Sequence, residues 1–233
     1  MQSLKHMLTA ETDSSMPPYV SLFPQPGVLR SQQAPLIVLP AQNIIVQKLL
    51  SDFLSSSISS LEMQITVRSL TTQIVTTAIA NDDDLVHVTL IPILRGGLPM
   101  YAAAQALFLK SGCILVRCSK TKGTEDVEVE WLGRRPFPSE RGDGQIVVLD
   151  TVIATGNTLS KVCDELWAMS GEKERCITVM SCYASPEGLA IVTNHPMVKG
   201  VYVGSVAETV DKNGYLVPYT NGDIGDKLFG ARN

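Results

Sequence analysis

Apolar side chains in this sequence gather into short, dense runs separated by longer stretches of mixed character. Residues 85–94 are almost continuously apolar and β-branched, as are 146–150 (Ile-Val-Val-Leu-Asp), 176–183 and 198–203. Runs of this length without polar alternation predict strands buried on both faces of a parallel sheet. Helical spacing fills the intervals. It predicts a helix after Pro40 within 36–54 (Ile45, Leu49, Leu50, Phe53, Leu54) and a Ser-rich connection over 55–60. A second helix is predicted over 61–80, presenting Ile65, Leu70, Ile74, Val75 and Ile79, and further helices over 98–109 and 157–169. Strands alternating with helices in this way predict an α/β fold, a three-layer domain with a mainly parallel central sheet. Ligands of such sheets bind beyond the carboxyl ends of the strands.

Two regions break the rhythm. Residues 1–35 carry Pro17, Pro18, Pro24, Pro26, Gly27 and Pro35 and read as an N-terminal arm, with an extended piece at 19–23. Residues 119–144 are strongly charged, and Val127, Val129 and Trp131 alternate there with acidic residues. That alternation predicts a β-hairpin flap with one wet face, placed to hang over the sheet's carboxyl edge. One domain is therefore expected over 36–233. The triplet Asp82-Asp83-Asp84 invites a metal, but adjacent carboxylates on a short turn diverge, and it is read as a solvated helix-to-strand turn.

Composition narrows the function. Of 233 residues, 45% are apolar and 18% charged, enough to fill one core. Nineteen basic against 23 acidic residues give a net charge of -4, which argues against a protein that coats nucleic acid while leaving room for a local phosphate pocket. No apolar run reaches membrane-spanning length, and no secretory signal follows Lys5 and His6, so a cytoplasmic protein with no membrane partner is expected. Five cysteines without CxxC spacing and three scattered histidines offer neither a disulfide framework nor a metal cluster.

The candidate chemistry lies in Val147-Val148-Leu149-Asp150-Thr151-Val152-Ile153-Ala154-Thr155-Gly156-Asn157-Thr158. This is a buried strand, an acid at its tip and a loop of small residues opening a helix. Backbone N–H groups from Ala154 onward, the Thr155 and Thr158 hydroxyls and the positive helix end suit a phosphate monoester. The other reading is an ordinary helix start capped by Thr155 or Asn157. The Gly-Lys-Thr ending of a Walker loop and the G-x-G-x-x-G of a dinucleotide site are both missing here.

The loop resembles the ribose-phosphate signature of phosphoribosyltransferases, and three further segments resemble the uracil phosphoribosyltransferase family. Pro92-Ile93-Leu94-Arg95-Gly96-Gly97-Leu98 is similar to that family's Pro-Ile-Leu-Arg-Ala-Gly-Leu. Ala184-Ser185-Pro186-Glu187-Gly188 is similar to its Ala-Pro-Glu-Gly turn, and the tail from Gly214 to Gly230 to its base-binding end. The resemblance implies the phosphoribosyltransferase fold. It implies transfer of a phosphoribosyl group from phosphoribosyl pyrophosphate to uracil, giving UMP and pyrophosphate in pyrimidine salvage. It also implies Mg2+ held mainly by the substrate diphosphate, and a homodimer or higher homo-oligomer.

Carried over residue by residue, the resemblance makes Asp150, Arg95 and Asp223 the catalytic residues. Donor contacts would come from Arg95, Lys120, Lys122, Asp150, Thr151, Val152, Ile153, Ala154, Thr155, Gly156, Asn157, Thr158 and Asp223. Leu216, Gly222, Asp223 and Ile224, within a tail of 209–230, would form the base edge. Plainer roles stand beside these: a helix cap for Asp150, a surface ion pair for Arg95, a tight turn for Asp223. Tyr215, Phe229 and Trp131 are read as packing residues rather than stacking platforms.

The chain departs from the family at several points. A Ser119-Lys120-Thr121-Lys122 stretch replaces the flap arginine, Thr151 replaces Pro, and Asn157 replaces Gly. Tyr219 stands where the family has Gly, in a tail one residue longer, and the family's charged N-terminal segment gives way to 34–43, which has no basic residue. These changes keep two other readings open: transfer to a different base or nucleophile, and a regulatory nucleotide binder without catalysis.

Overall fold

The computed structural model describes residues 33–120, 126–133, 145–170, 176–218 and 222–230. The chain enters through β1 (Leu36–Val38), α1 (Ile44–Leu54), α2 (Ser60–Asn81), β2 (Val88–Leu94) and α3 (Leu98–Leu107). There follow β3 (Gly112–Cys113), β4 (Leu115–Lys120), β5 (Val127–Leu132), β6 (Gln145–Leu149), β7 (Val152–Ile153) and α4 (Asn157–Ser170). The last part runs through β8 (Ile177–Ala184), α5 (Pro186–Thr193), β9 (Val198–Val206), β10 (Thr209–Val210), β11 (Leu216–Val217) and α6 (Ile224–Phe229).

The main sheet has the order β1-β9-β8-β6-β2-β4-β5, with β3 beside β2 and β7 beside β8. Its pairings are parallel except for β4 against β5. Successive residues of the central strands serve opposite layers. Val147 and Leu149 of β6 pack with α1, α2, α3 and α6, whereas Ile146 and Val148 pack with α4 and α5. The expected three-layer α/β architecture is the one found. Short apolar runs were the right signal, because a strand covered on both faces has no polar side to alternate with.

The elements near the N-terminus differ from the spacing-based expectation. Leu36–Val38 forms an edge strand parallel to β9, in register Leu36 to Val201. Three residues after Pro35 are too few to show a period. On α1, Ile45 points outward while Val46 and Phe53 are buried. On α2 the inward stripe is Met63, Thr66, Val67, Leu70, Thr71, Ile74, Val75 and Ala78. Ile65 and Ile79 fall off that stripe and are 52% and 40% exposed. Two threonines take the places expected of isoleucines because position on the helix, not side-chain type, decides burial. Thr71 meets the polar cost by donating its hydroxyl to Val67 O at 2.7 Å. Strand β2 also starts at Val88 rather than at residue 85. Lys199 binds Asp82 at 2.8 Å and Asp84 at 2.7 Å and holds the acidic triplet in a turn. Helix α3 stops at Leu107, two residues short of the expected end.

Helix α2 has weak propensity and owes its start to a capping box. The Ser59 hydroxyl accepts from Glu62 N at 3.3 Å, and the Glu62 carboxylate accepts from Ser59 N at 2.9 Å. Ser59→Ala should lower stability by about 1 kcal/mol, read as a shift in the urea midpoint at constant m-value.

The expected flap begins as the β4–β5 hairpin, with Leu115 opposite Leu132 and Lys120 opposite Val127. The Trp131 indole N–H donates to the Glu165 carboxylate at 2.6 Å, fastening the hairpin to α4. The arm up to residue 32, and flap residues 121–125 and 134–144, lie outside the described residues. Among the described residues no helix is long and apolar enough to cross a membrane, and no disulfide joins the five cysteines.

Candidate functional site

Strands β2 and β6 run parallel, with Pro92 beside Leu149, so the segments that leave their carboxyl ends emerge side by side. From β2 comes the turn Arg95-Gly96-Gly97, where Gly97 N donates to Ile93 O at 2.7 Å. From β6 comes Asp150 and the loop into α4. The two are packed so closely that a Cβ on Gly97 would lie 2.4 Å from Leu149 O. The peptide between Leu94 and Arg95 is cis.

A cavity of about 660 Å3 opens over these strand ends. Ile93–Gly96 form one wall, Asp150 and residues 152–156 with Thr158 and Leu159 the floor, and residues 213–216 and 222–226 the far side. The proposed sugar-phosphate loop, Arg95 and the proposed base edge (Leu216, Gly222, Asp223, Ile224) therefore share one space. They come from parts of the chain more than a hundred residues apart.

The floor is braced from behind by the turn into α5. The Ser185 hydroxyl donates to Ala154 O and accepts from Gly188 N at 2.8 Å. Gly188 lies against the loop so tightly that a Cβ there would come 2.3 Å from Ala154 O and 3.1 Å from Gly156 N. Gly156 has φ +80°, a left-handed conformation that costs glycine nothing, and its missing Cβ leaves room for Gly188 O. Asn157 begins α4, so the left-handed position falls on Gly156 and the change from the family's glycine at 157 is accommodated within a helical turn. Thr151 and Asn157 are absent from the cavity lining, whereas their neighbours are part of it.

Asp150 stands at the lip of the floor. Burial holds its carboxyl up at about 7, the N–H groups of Val152 and Thr151 pull it down, and the charge of Asp223 across the cavity pushes it further up. Two acids from opposite walls facing one space suit a ligand that carries hydroxyls and a cation. Asp223 also caps α6, accepting from Asp226 N at 3.0 Å, so its plainer role is present at a residue that also lines the cavity.

Arg95 reaches the cavity but is already engaged. Its guanidinium pairs with Asp226 and donates to Gly230 O at 2.9 Å, while its Nε is buried with no hydrogen-bond partner among the described residues. Lys120 ends β4; its side chain, all of Lys122 and Tyr219 lie outside the described residues. Phe229 is exposed on α6 rather than packed in the core, whereas Trp131 fastens the hairpin to α4.

Several lining residues were not expected. Cys118, Ser119 and Val127 come from the hairpin, and Asn213, Gly214 and Tyr215 from the β10–β11 turn. Tyr215 is 42% exposed and faces the cavity rather than the core. The turn had a legible signal in Asp211-Lys212-Asn213-Gly214. Asp211 accepts from Asn213 N at 2.8 Å and Tyr215 N at 2.9 Å, an Asx-turn that folds this segment back over the site.

Comparison with known proteins agrees with this geometry. Residues 41–231 match the family described as uracil phosphoribosyltransferase. The uracil phosphoribosyltransferase of Clostridium tetani is 35% identical over 149 residues, 62% of this chain and 66% of that protein. Its counterpart in Clostridium acetobutylicum is 36% identical over the same length and shares. The match thus spans slightly under two thirds of these relatives. The structure of the AQ2163 protein from Aquifex aeolicus superposes with a TM-score of 0.70 at 20% identity, covering 83% of this chain and 98% of that one, which is a likeness of fold. With a family match across most of its length and the family's motifs gathered around one cavity, the chain belongs to the uracil phosphoribosyltransferase family.

Proposed function

We propose that the protein transfers the 5-phosphoribosyl group of phosphoribosyl pyrophosphate to N1 of uracil, yielding UMP and pyrophosphate, from a single domain over 36–233. The observation that carries this reading is the shared cavity: a small-residue loop opening a helix, a strand-end acid and the tail segments 213–216 and 222–226 all line it. The bond from C1 of the ribose to the diphosphate breaks as the bond to N1 forms, and the base gives up its N1 proton. Positive charge grows on the sugar meanwhile, so the chain's work is to hold, neutralise and exclude water.

The N–H groups of 154–158 would grip the 5-phosphate. Asp150 would accept from the ribose hydroxyls and stabilise the growing cation. Leu216 and Ile224 would sandwich the pyrimidine edge, with backbone groups of 216 and 222–224 reading its oxygens. Magnesium fits a cation brought in on the diphosphate. Among the described residues no three His, Cys, Asp or Glu side chains cluster to cage one, yet Asp150 and Asp223 face the same space. Bound there, the ion would neutralise the leaving diphosphate. A homodimer or larger assembly in a reducing, cytoplasmic setting belongs to the same reading.

One observation favours a second reading, a nucleotide binder without turnover: Arg95 is held by Asp226 and Gly230 instead of standing open to a diphosphate. Incubation with phosphoribosyl pyrophosphate, Mg2+ and a panel of bases separates the possibilities. Release of pyrophosphate with uracil is the expected result. Release with another base alone shifts the acceptor, and donor binding without release supports the second reading.

A further inference from the structure

Thr151 is fully buried, belongs to neither the loop's phosphate-facing amides nor the cavity wall, and yet bonds in three directions. Its carbonyl accepts from Cys182 N at 3.1 Å and Tyr183 N at 3.2 Å, which ties it to β8. Its N–H is one of the two that lean on the Asp150 carboxylate. Its hydroxyl donates to Gly96 O at 2.7 Å, across to the turn that carries Arg95. Gly96 in turn is so placed that a Cβ would lie 3.5 Å from Asp150 Oδ1 and 3.3 Å from Ile224 Cγ2.

From this geometry we infer that Thr151 is a positioning residue. Its side chain fixes the Arg95–Gly96 turn relative to Asp150, and so sets the distance between the end of the site that holds the diphosphate and the end that holds the sugar phosphate. A proline at this point would give the turn no donor, so the threonine adds a cross-link of this chain's own. The hydroxyl acts at a distance from any ligand. Without it the Gly96 carbonyl, inside the protein, loses its partner and the turn gains freedom to shift. The loop for the 5-phosphate is held separately, by Ser185 and Gly188 from behind, and keeps its shape.

The inference rests on the donor-site reading above, and its test separates the two. Calorimetric titrations with phosphoribosyl pyrophosphate plus Mg2+, and with ribose 5-phosphate, are compared for the wild type, Thr151→Val and Thr151→Ser, with thermal midpoints recorded alongside. Thr151→Val keeps the shape and removes the donor. It should weaken phosphoribosyl pyrophosphate binding about tenfold while ribose 5-phosphate binding stays within about twofold. Thr151→Ser should restore the loss. Equal weakening of both ligands in Thr151→Val, or weakening of neither, overturns the positioning role and leaves the donor site standing. A wild-type protein that binds neither sugar phosphate overturns the donor site and the inference with it.

Discussion

Asp150→Asn should lower turnover roughly a hundred- to a thousandfold while phosphoribosyl pyrophosphate still binds within about threefold of wild type. The amide keeps the size and the hydrogen-bonding reach of the carboxylate. It loses the negative charge that matters only as the sugar becomes cationic, so the loss should fall on kcat. Equal losses in kcat and donor affinity would mean that Asp150 merely organises the loop. The pH dependence gives a second check with a definite sign. Burial raises the Asp150 carboxyl from its ordinary 3.8 to about 7 in the unliganded protein. Between those values the folded state keeps a proton that the unfolded chain has released. Its contribution to stability is therefore complete below the lower value and is lost as the pH rises toward the upper one. As the pH rises across that window, the wild type should lose stability relative to Asp150→Asn, read from melts of both proteins. Activity runs the other way: kcat/KM should climb through about 7 as the carboxylate forms.

Gly188→Ala should be among the most damaging methyl additions at the described glycines. Its Cβ would meet Ala154 O at 2.3 Å and Ile153 Cγ2 at 2.9 Å. The first is backbone, so the loop of 154–156 itself must move. A cost of about 3 kcal/mol is expected, a fall in Tm of roughly 6–12 °C for a chain of this size. Ribose 5-phosphate affinity should fall with it, because the displaced carbonyl belongs to the loop that would hold the phosphate. Gly112→Ala is the control. There a Cβ would find only Thr89 Oγ1 at 3.8 Å, and neither stability nor binding should change. If Gly188→Ala melts like wild type, the bracing of the loop by the α5 turn is mistaken.

The layered architecture could be read from the sequence because strands covered on both faces announce themselves as unbroken apolar runs. The loop 150–158 was equally open to reading, since strand, acid, small residues and helix follow one another without interruption. What could not be read was whatever depends on distant parts meeting. Nothing near Arg95 in the sequence says that Asp226 will occupy its guanidinium. Nothing in Tyr215 itself separates an aromatic that lines the cavity from one that packs the core. On α2 the expected stripe holds at Leu70, Ile74 and Val75 and departs at its two ends for a different reason. Ile65 and Ile79 face outward, while the helix buries Thr66 and also Thr71, whose hydroxyl is satisfied by Val67 O.

Arg95 and the carbonyl of Gly230 are bonded across most of the chain's length, and this has a bearing on protein synthesis. A ribosome making this chain exposes β2, β6 and the loop of 150–158 well before residues 222–230 emerge. Until they do, the Arg95 guanidinium lacks its carboxylate and the cavity lacks a side. The cavity is thus the last part of the described fold to be completed, when translation has delivered the tail.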